Sequence, residues 1–282
     1  MVSFDSISHE WMLKFVQHRV ADRRIVRLIQ KWLRAGVLEE GQWSKTELGT
    51  PQGAVISPLL ANIYLHYVFD RWVQAWRKKH ARGDVVVVRY ADDTVLGFQS
   101  QTEADRFLEN LRERLGKFGL ELHPDKTRRI EFGPFAELYR KRRGEGKPET
   151  FDFLGFTHIS GKNRRGQFTV KRKTISKRLR GKLQELKQQL RQRRHDPIAH
   201  TGRWLRSVVQ GYFNYHAVPG NLDRLRLFRD RLTRLWRTQL RQRSQRYRLN
   251  WKRLHRLAAR WLPVPHVLHP WPSERFAAMH PR

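Results

Sequence analysis

No cysteine occurs among the 282 residues, which excludes disulfide frameworks, thiolate metal sites and cysteine nucleophiles. No apolar run approaches the ~18 residues that a membrane span requires, and no basic-then-apolar leader pattern opens the chain. A cytoplasmic protein away from membranes is therefore the expectation. Acidic residues are the other shortage, with 26 Asp and Glu against 58 Lys and Arg and a formal net charge of +32. An excess of that size points to a polyanionic partner, with nucleic acid the first candidate. The imbalance is local: residues 162–282 hold 32 of the basic residues and only 5 of the acidic ones, while the first half is nearly balanced.

The periodicity predicts an α+β segment followed by an all-α one. Ser8 is placed to cap a helix running to about Val20, and Asp22 to cap a second that buries Ile25, Val26, Ile29, Trp32 and Leu33 and stops at Gly36. After a turn-rich stretch, GTPQGAVISP, Ser57 and Pro58 open a long helix with an apolar face through Trp72. Asp84 to Ala91 reads as a strand, and its four consecutive valines suggest burial on both faces. Thr94 to Phe98 reads as its hairpin partner, with Asp92 and Asp93 at the turn. A helix from Thr102 to Phe118, ended by Gly119, precedes short strands at Glu121–Leu122, Thr127–Phe132, Phe151–Ile159 and Gln167–Lys171. Arg140 to Lys147 reads as an exposed loop. From Lys173 onward the pattern is helical, interrupted near Asp196–Pro197, Pro219–Gly220 and Pro263.

The stretch VVVVRYADDTVLGF sets two adjacent carboxylates between two apolar runs. Paired Asp at a hairpin tip is ordinary turn chemistry. It is equally a way to hold carboxylates where hard cations bridge them to phosphate oxygens, since Mg²⁺ takes one or two carboxylates with phosphate and water.

YADD between two apolar strands resembles the catalytic hairpin of reverse transcriptases, and GTPQGAVISPLLANIYL resembles the substrate-binding turn and helix of the group II intron type. GLELHPDKT (119–127) and FDFLGF (151–156) follow in the family's order. WLRSVVQGYFNY and WLPVPHVLHPWPSERF resemble its thumb and maturase region. The resemblance implies a partial polymerase palm, an antiparallel sheet with helices, over residues 1–172, and a helical thumb and RNA-binding maturase domain over 173–282. It implies Mg²⁺ as cofactor and an RNA template with DNA primer, deoxynucleoside triphosphate and intron RNA as partners. Asp92 and Asp93 would then be metal ligands and catalytic residues, and Lys126 the group that protonates leaving pyrophosphate. Phe4, Gln52, Gly53 and Tyr90 would lie beside the incoming nucleotide and template, and Phe153, Leu154, Gly155 and Phe156 would form the primer grip.

MVSFDSISHEW resembles the end of the first polymerase motif, whose metal-binding carboxylate is expected upstream of Met1. The polypeptide by itself is accordingly expected to polymerise little.

KRKTISKRLRGKLQELKQQLRQRR (171–194) puts positive charge on most faces of a helix, interrupted by the single acid Glu185. A solvated charged helix interleaves acids more often, so contact with a phosphate backbone accounts for the bias better. Lys171, Arg172, Lys173, Lys177, Arg178, Arg180, Arg203 and Arg206 are the candidate phosphate contacts, and Tyr212 and Tyr215 candidate stacking residues. Two further readings stand beside the polymerase: an RNA-binding maturase that assists splicing without polymerising, and another bacterial reverse transcriptase type. The long helical extension argues against the last. Oligomeric state has no signature in the sequence.

Overall fold

The computed structural model describes residues 7–34, 37–39, 42–44, 56–163, 165–244 and 249–271. The chain is α+β and divides into two compact units, Met1–Arg129 and Ile130–Arg282. Compactness thus places the three-stranded sheet described below with the helices that follow it.

The first unit opens on α1 (His9–Gln17), whose first turn is capped by Ser8 as its Oγ accepts from the Trp11 amide at 3.4 Å. In α2 (Arg23–Arg34) the Asp22 carboxylate accepts from the Arg24 amide at 2.7 Å. Only Ile29 and Leu33 of that helix are buried; Ile25 and Trp32 are 47% and 39% exposed, because the stripe facing the core is narrower than its apolar content. A short antiparallel ribbon pairs β1 (Val37–Glu39) with β2 (Gln42–Ser44). A continuous helical rod then runs through α3 (Ser57–Leu65), a π-helical turn His66–Asp70 and α4 (Arg71–His80). Ser57 is its first helical residue rather than its cap, a position that Ile56 occupies with no side-chain bond.

Strands β3 (Val85–Tyr90) and β4 (Asp93–Phe98) form an antiparallel hairpin in which Tyr90 pairs with Asp93. The expectation that the valine run is buried on both faces is wrong. Alternate residues Val85, Val87 and Arg89 turn inward, whereas Val86 and Val88 are 60% and 44% exposed, since the described sheet has two strands and no layer on its outer side. Helix α5 (Gln101–Gly116) begins after Ser100 rather than Thr102. It ends in a left-handed turn at Gly119 (φ +69°), where the Leu120 amide reaches back to the Leu115 carbonyl at 3.0 Å. The core gathers Met12 and Val16 of α1, Leu60 and Tyr64 of α3, and Phe107, Leu111 and Leu115 of α5. Tyr64, fully buried, donates its hydroxyl to the Phe118 carbonyl at 2.7 Å; burial pushes its pKa up to about 12. The strand expected at Thr127–Phe132 is irregular chain, tied to α5 by an ion pair between Arg129 and Asp105 rather than by a ladder.

In the second unit, part of the expected loop at 140–147 belongs to α6 (Ala136–Arg142), with Glu137 in its first turn and three basic residues in its last. The strand expected over Phe151–Ile159 is two strands, β5 (Thr150–Phe153) and β6 (Phe156–Lys162), folded at Leu154–Gly155; β7 (Phe168–Thr174) completes an antiparallel sheet in the order β5-β6-β7. Helices α7 (Ser176–Gln192), α8 (Ile198–His216), α9 (Leu222–Arg241) and α10 (Trp251–Trp261) follow; the first two breaks fall at Pro197 and Pro219 as expected, whereas the break between α9 and α10 has no proline and Pro263 comes after α10. Leu179, Leu183, Leu186 and Leu190 line one stripe of α7 and pack with Leu205, Val209 and Phe213 of α8 and Phe228, Leu232 and Trp236 of α9 in one core. Trp261 lies so close over α8 that a Cβ on Gly202 would fall 2.5 Å from its indole.

Candidate active site

The β3–β4 hairpin turns in two residues, Ala91 and Asp92, so Asp92 is in the turn while Asp93 already belongs to β4. Ala91 adopts φ +52° and is the only one of the two with positive φ, the pattern of a type II′ turn whose first position usually carries glycine. A non-glycine residue held there stores backbone strain of a kind that the surrounding structure must enforce. Asp93 faces the same side of the ribbon as its partner Tyr90, which is 65% exposed. Neither aspartate side chain has a hydrogen bond or ion pair among the described residues.

The nearest cation in sequence, Arg89, turns away from both. Its Nε and Nη2 make a two-pronged contact with Asp70 Oδ1 and Oδ2 at 2.7 and 2.6 Å, while Nη1 donates to Asn62 Oδ1 and to the Ala91 carbonyl, each at 2.9 Å. Asn62 is oriented in turn by donating Nδ2 to the Pro58 carbonyl at 2.9 Å. The hairpin tip is therefore tied to the π-helical turn that carries Asp70 and to the first turn of α3. Sequence reasoning passed over Arg89, Asp70 and Asn62. The signal was one charged residue at an inward position of an otherwise apolar strand, which demands a buried partner.

Lys126 lies on a separate element, a 3-10 turn at Pro124–Lys126, and is exposed. Phe4, Gln52 and Gly53 fall outside the described residues.

In the second unit, Phe153, Leu154, Gly155 and Phe156 come together as a two-residue hairpin turn in which Leu154 (φ +47°) and Gly155 (φ +81°) are both left-handed, the type I′ pattern. The turn is seated on α7 and α8. The Ile175 amide donates to the Gly155 carbonyl at 3.1 Å, Tyr215 donates to the Leu154 carbonyl at 2.8 Å, and a Cβ on Gly155 would lie 3.2 Å from the Arg178 guanidinium. Behind it a buried cluster fastens sheet to helices: Asn221, with no exposure, accepts from the Thr174 amide at 2.9 Å and donates to the Thr174 hydroxyl and the His216 carbonyl at 2.7 and 2.9 Å.

The expected phosphate contacts sort into two groups. Lys171, Lys177, Arg178, Arg180, Arg203 and Arg206 are exposed. Lys173 is held by Asp223 at 2.8 Å, which keeps that carboxyl below its usual range, and Arg172 is half-buried, its pKa lowered by burial. Tyr212 corrects the sequence expectation of a stacking residue. Its ring is sandwiched between His216 and Phe228, with centroids 4.1 and 4.0 Å away, and burial pushes its hydroxyl up to about 12, so both ring faces are already taken. Tyr215 is 52% exposed.

A family model described as reverse transcriptase (RNA-dependent DNA polymerase) matches residues 2–158, and the chain belongs to that family. It is 44% identical over 79 residues to the group II intron-encoded protein LtrA of Lactococcus lactis subsp. cremoris, covering 28% of this chain and 13% of LtrA. It is 36% identical over 156 residues to Protein YkfC of Escherichia coli K12, covering 44% of this chain and 40% of that one. The putative COX1/OXI3 intron 1 protein of Saccharomyces cerevisiae is 27% identical over 172 residues, covering 44% of this chain and 20% of the relative. The matched stretches span less than half the length of each of these relatives. Among the described residues, no helix is long and apolar enough to cross a membrane.

Proposed function

We propose that the chain acts as a group II intron reverse transcriptase and maturase, using the β3–β4 hairpin for nucleotidyl transfer and the basic helical region for RNA. Residues 1–172 serve as palm in this reading and residues 173–282 as thumb and maturase region. The observation that carries it is the pair Asp92 and Asp93, presented on an anchored tip with no counter-ion among the described residues, inside the segment that the family model matches.

Two adjacent carboxylates are hard oxygen donors and fit Mg²⁺, which completes its shell with phosphate and water. When bound, Mg²⁺ would activate a primer 3′-hydroxyl and offset the charge of the departing pyrophosphate. Asp92 is the principal ligand from the turn, and Asp93 its neighbour beside Tyr90. Lys126 supplies the proton to the leaving group, and Phe4, Gln52 and Gly53 position template and nucleotide. The turn Phe153 to Phe156 steadies the primer end. Exposed Lys171, Lys177, Arg178, Arg180, Arg203 and Arg206 hold RNA phosphates, a term that weakens with salt and is blind to sequence. Shape and unpaired bases must supply selectivity for a folded intron.

Primer extension on poly(rA)/oligo(dT) with Mg²⁺ tests the catalytic half. Whatever incorporation is measured falls to background in Asp92→Ala; incorporation that survives that substitution contradicts the assignment. The second reading, a maturase that binds intron RNA without polymerising, draws on the concentration of charge in residues 162–282, which stands apart from the hairpin. Preference for intron over random RNA across a salt titration, in a preparation that incorporates nothing, moves the conclusion to it.

A further inference from the structure

The aspartate tip sits on a ribbon that cannot hold it still unaided. A two-stranded hairpin is marginally stable on its own, and this one bends through a non-glycine residue at φ +52°. The last inward side chain before the bend is Arg89, 15% exposed, and four of its five N–H donors are engaged by three different parts of the unit.

Each of those bonds constrains something distinct. The Ala91 carbonyl belongs to the peptide plane whose nitrogen is that of Asp92, so Nη1 fixes the plane from which the Asp92 side chain departs. Asn62 cannot swing away, since its own amide is committed to the Pro58 carbonyl. The two prongs on Asp70 orient the guanidinium and also occupy its charge, so the strand's cation does not collapse onto Asp92 or Asp93 and cancel them. Asp70 is delivered by the π-helical turn His66–Asp70, a local widening of the kind that recurs at functional sites.

We propose that Arg89 is a positioning residue for the carboxylate pair: through Asp70, Asn62 and the Ala91 carbonyl it sets the geometry in which Asp92 and Asp93 receive a divalent cation. The proposal rests on the nucleotidyl-transfer reading of the hairpin. Lysine cannot substitute, because one ammonium has neither the planar fork for Asp70 nor the reach to serve two further acceptors at once. Groups that orient metal ligands change metal affinity about 10- to 100-fold when removed, so the role is measurable apart from folding.

The test uses the full chain with Mn²⁺ as the probe, following broadening of the Ala91, Asp92 and Asp93 amide signals by NMR, alongside amide order at the tip without metal and the thermal midpoint. Wild type is expected to broaden at the tip, and Asp92→Asn to lose the effect. Arg89→Lys is expected to weaken Mn²⁺ at the tip by about 10-fold or more and to lower amide order there, with the midpoint shifted by only a few degrees. Asn62→Ala leaves the Asp70 fork intact and is expected to give a smaller loss of a few-fold; being an exposed surface change, it carries the test if Arg89→Lys fails to fold. Wild-type affinity and tip order in Arg89→Lys would overturn the proposal, as would an unchanged Asn62→Ala if the lysine variant does not fold. Absence of tip broadening in wild type would sink the metal reading. A loss of tip order in Arg89→Lys would then still leave Arg89 as the anchor of the hairpin, so the two failures are distinguishable.

Discussion

The Tyr215 hydroxyl donates to the Leu154 carbonyl at 2.8 Å while the Tyr215 ring stacks on Phe156 with centroids 5.9 Å apart and an 18° tilt. One side chain of α8 thus grips both sides of the turn between β5 and β6. Tyr215→Phe keeps the stack and loses the bond, for an expected ~0.5–1.5 kcal/mol. Gly155→Ala places a Cβ on a residue at φ +81° and against the Arg178 guanidinium, for an expected loss of about 1–2 kcal/mol. Urea unfolding of each variant checks both values, and a neutral Gly155→Ala would contradict the left-handed turn.

Among the described residues, Asn221 is the only fully enclosed polar side chain joining β7 to α8, and its amide answers both the Thr174 amide and the His216 carbonyl. Asn221→Ala strands buried partners, so the expected loss is ~1–3 kcal/mol, larger than that of Tyr215→Phe at the exposed rim. Hydrogen exchange of the Thr174 amide, slow in the parent and accelerated in the variant, locates the effect.

Two half-buried histidines give this region a pH dependence. Burial, reinforced by Arg172, lowers His158, and burial, reinforced by Arg178, lowers His216, each below the ordinary 6.5. As pH falls through 6.5 the unfolded chain takes up protons that the folded chain still refuses, so stability declines from there until the lowered native values are passed, and above that window neither histidine matters. Asp223 acts lower: its carboxyl, held down by Lys173, contributes above 3.8 and loses that contribution as pH falls toward its depressed value. Urea midpoints between about pH 5 and 8 should slope in the parent and flatten in His158→Gln/His216→Gln. An unchanged slope would refute the assignment.

RNA binding should separate free from occupied cations. Arg203 and Arg206 are exposed on α8 with no partner among the described residues, and each alanine substitution is expected to reduce the slope of log affinity against log salt by about 1. Lys173→Ala should leave the slope nearly unchanged, because Asp223 already takes its ammonium. Filter binding from about 0.05 to 0.5 M KCl reads the difference.

Local signals carried much of this fold. Ser8 and Asp22 cap as their side chains dictate, Gly119 ends α5 through its positive φ, Pro197 and Pro219 fall between helices, and Pro263 follows the end of α10. What failed depended on neighbours that periodicity cannot see. Four valines look doubly buried until only one face of the ribbon meets a helix layer, and FDFLGFTHI looks like one strand because Leu154 tolerates a left-handed conformation that leucine rarely adopts. At the candidate site, the place of the aspartates at a hairpin tip was legible from their setting between apolar runs. The Arg89 fork was not, since Asn62 and Asp70 stand 27 and 19 residues away and lie on a rod read only for its apolar face.

The central claim is that Asp92 and Asp93 together hold a divalent cation. Backbone cleavage by Fe²⁺ with ascorbate and peroxide, in which radicals cut the chain beside the bound ion, tests it most directly. Cuts clustered at Tyr90 to Thr94, suppressed by excess Mg²⁺ and absent from Asp92→Asn/Asp93→Asn, are the expected result. Cuts spread over other acidic surfaces, or a tip pattern indifferent to Mg²⁺ and to loss of both carboxylates, would contradict it.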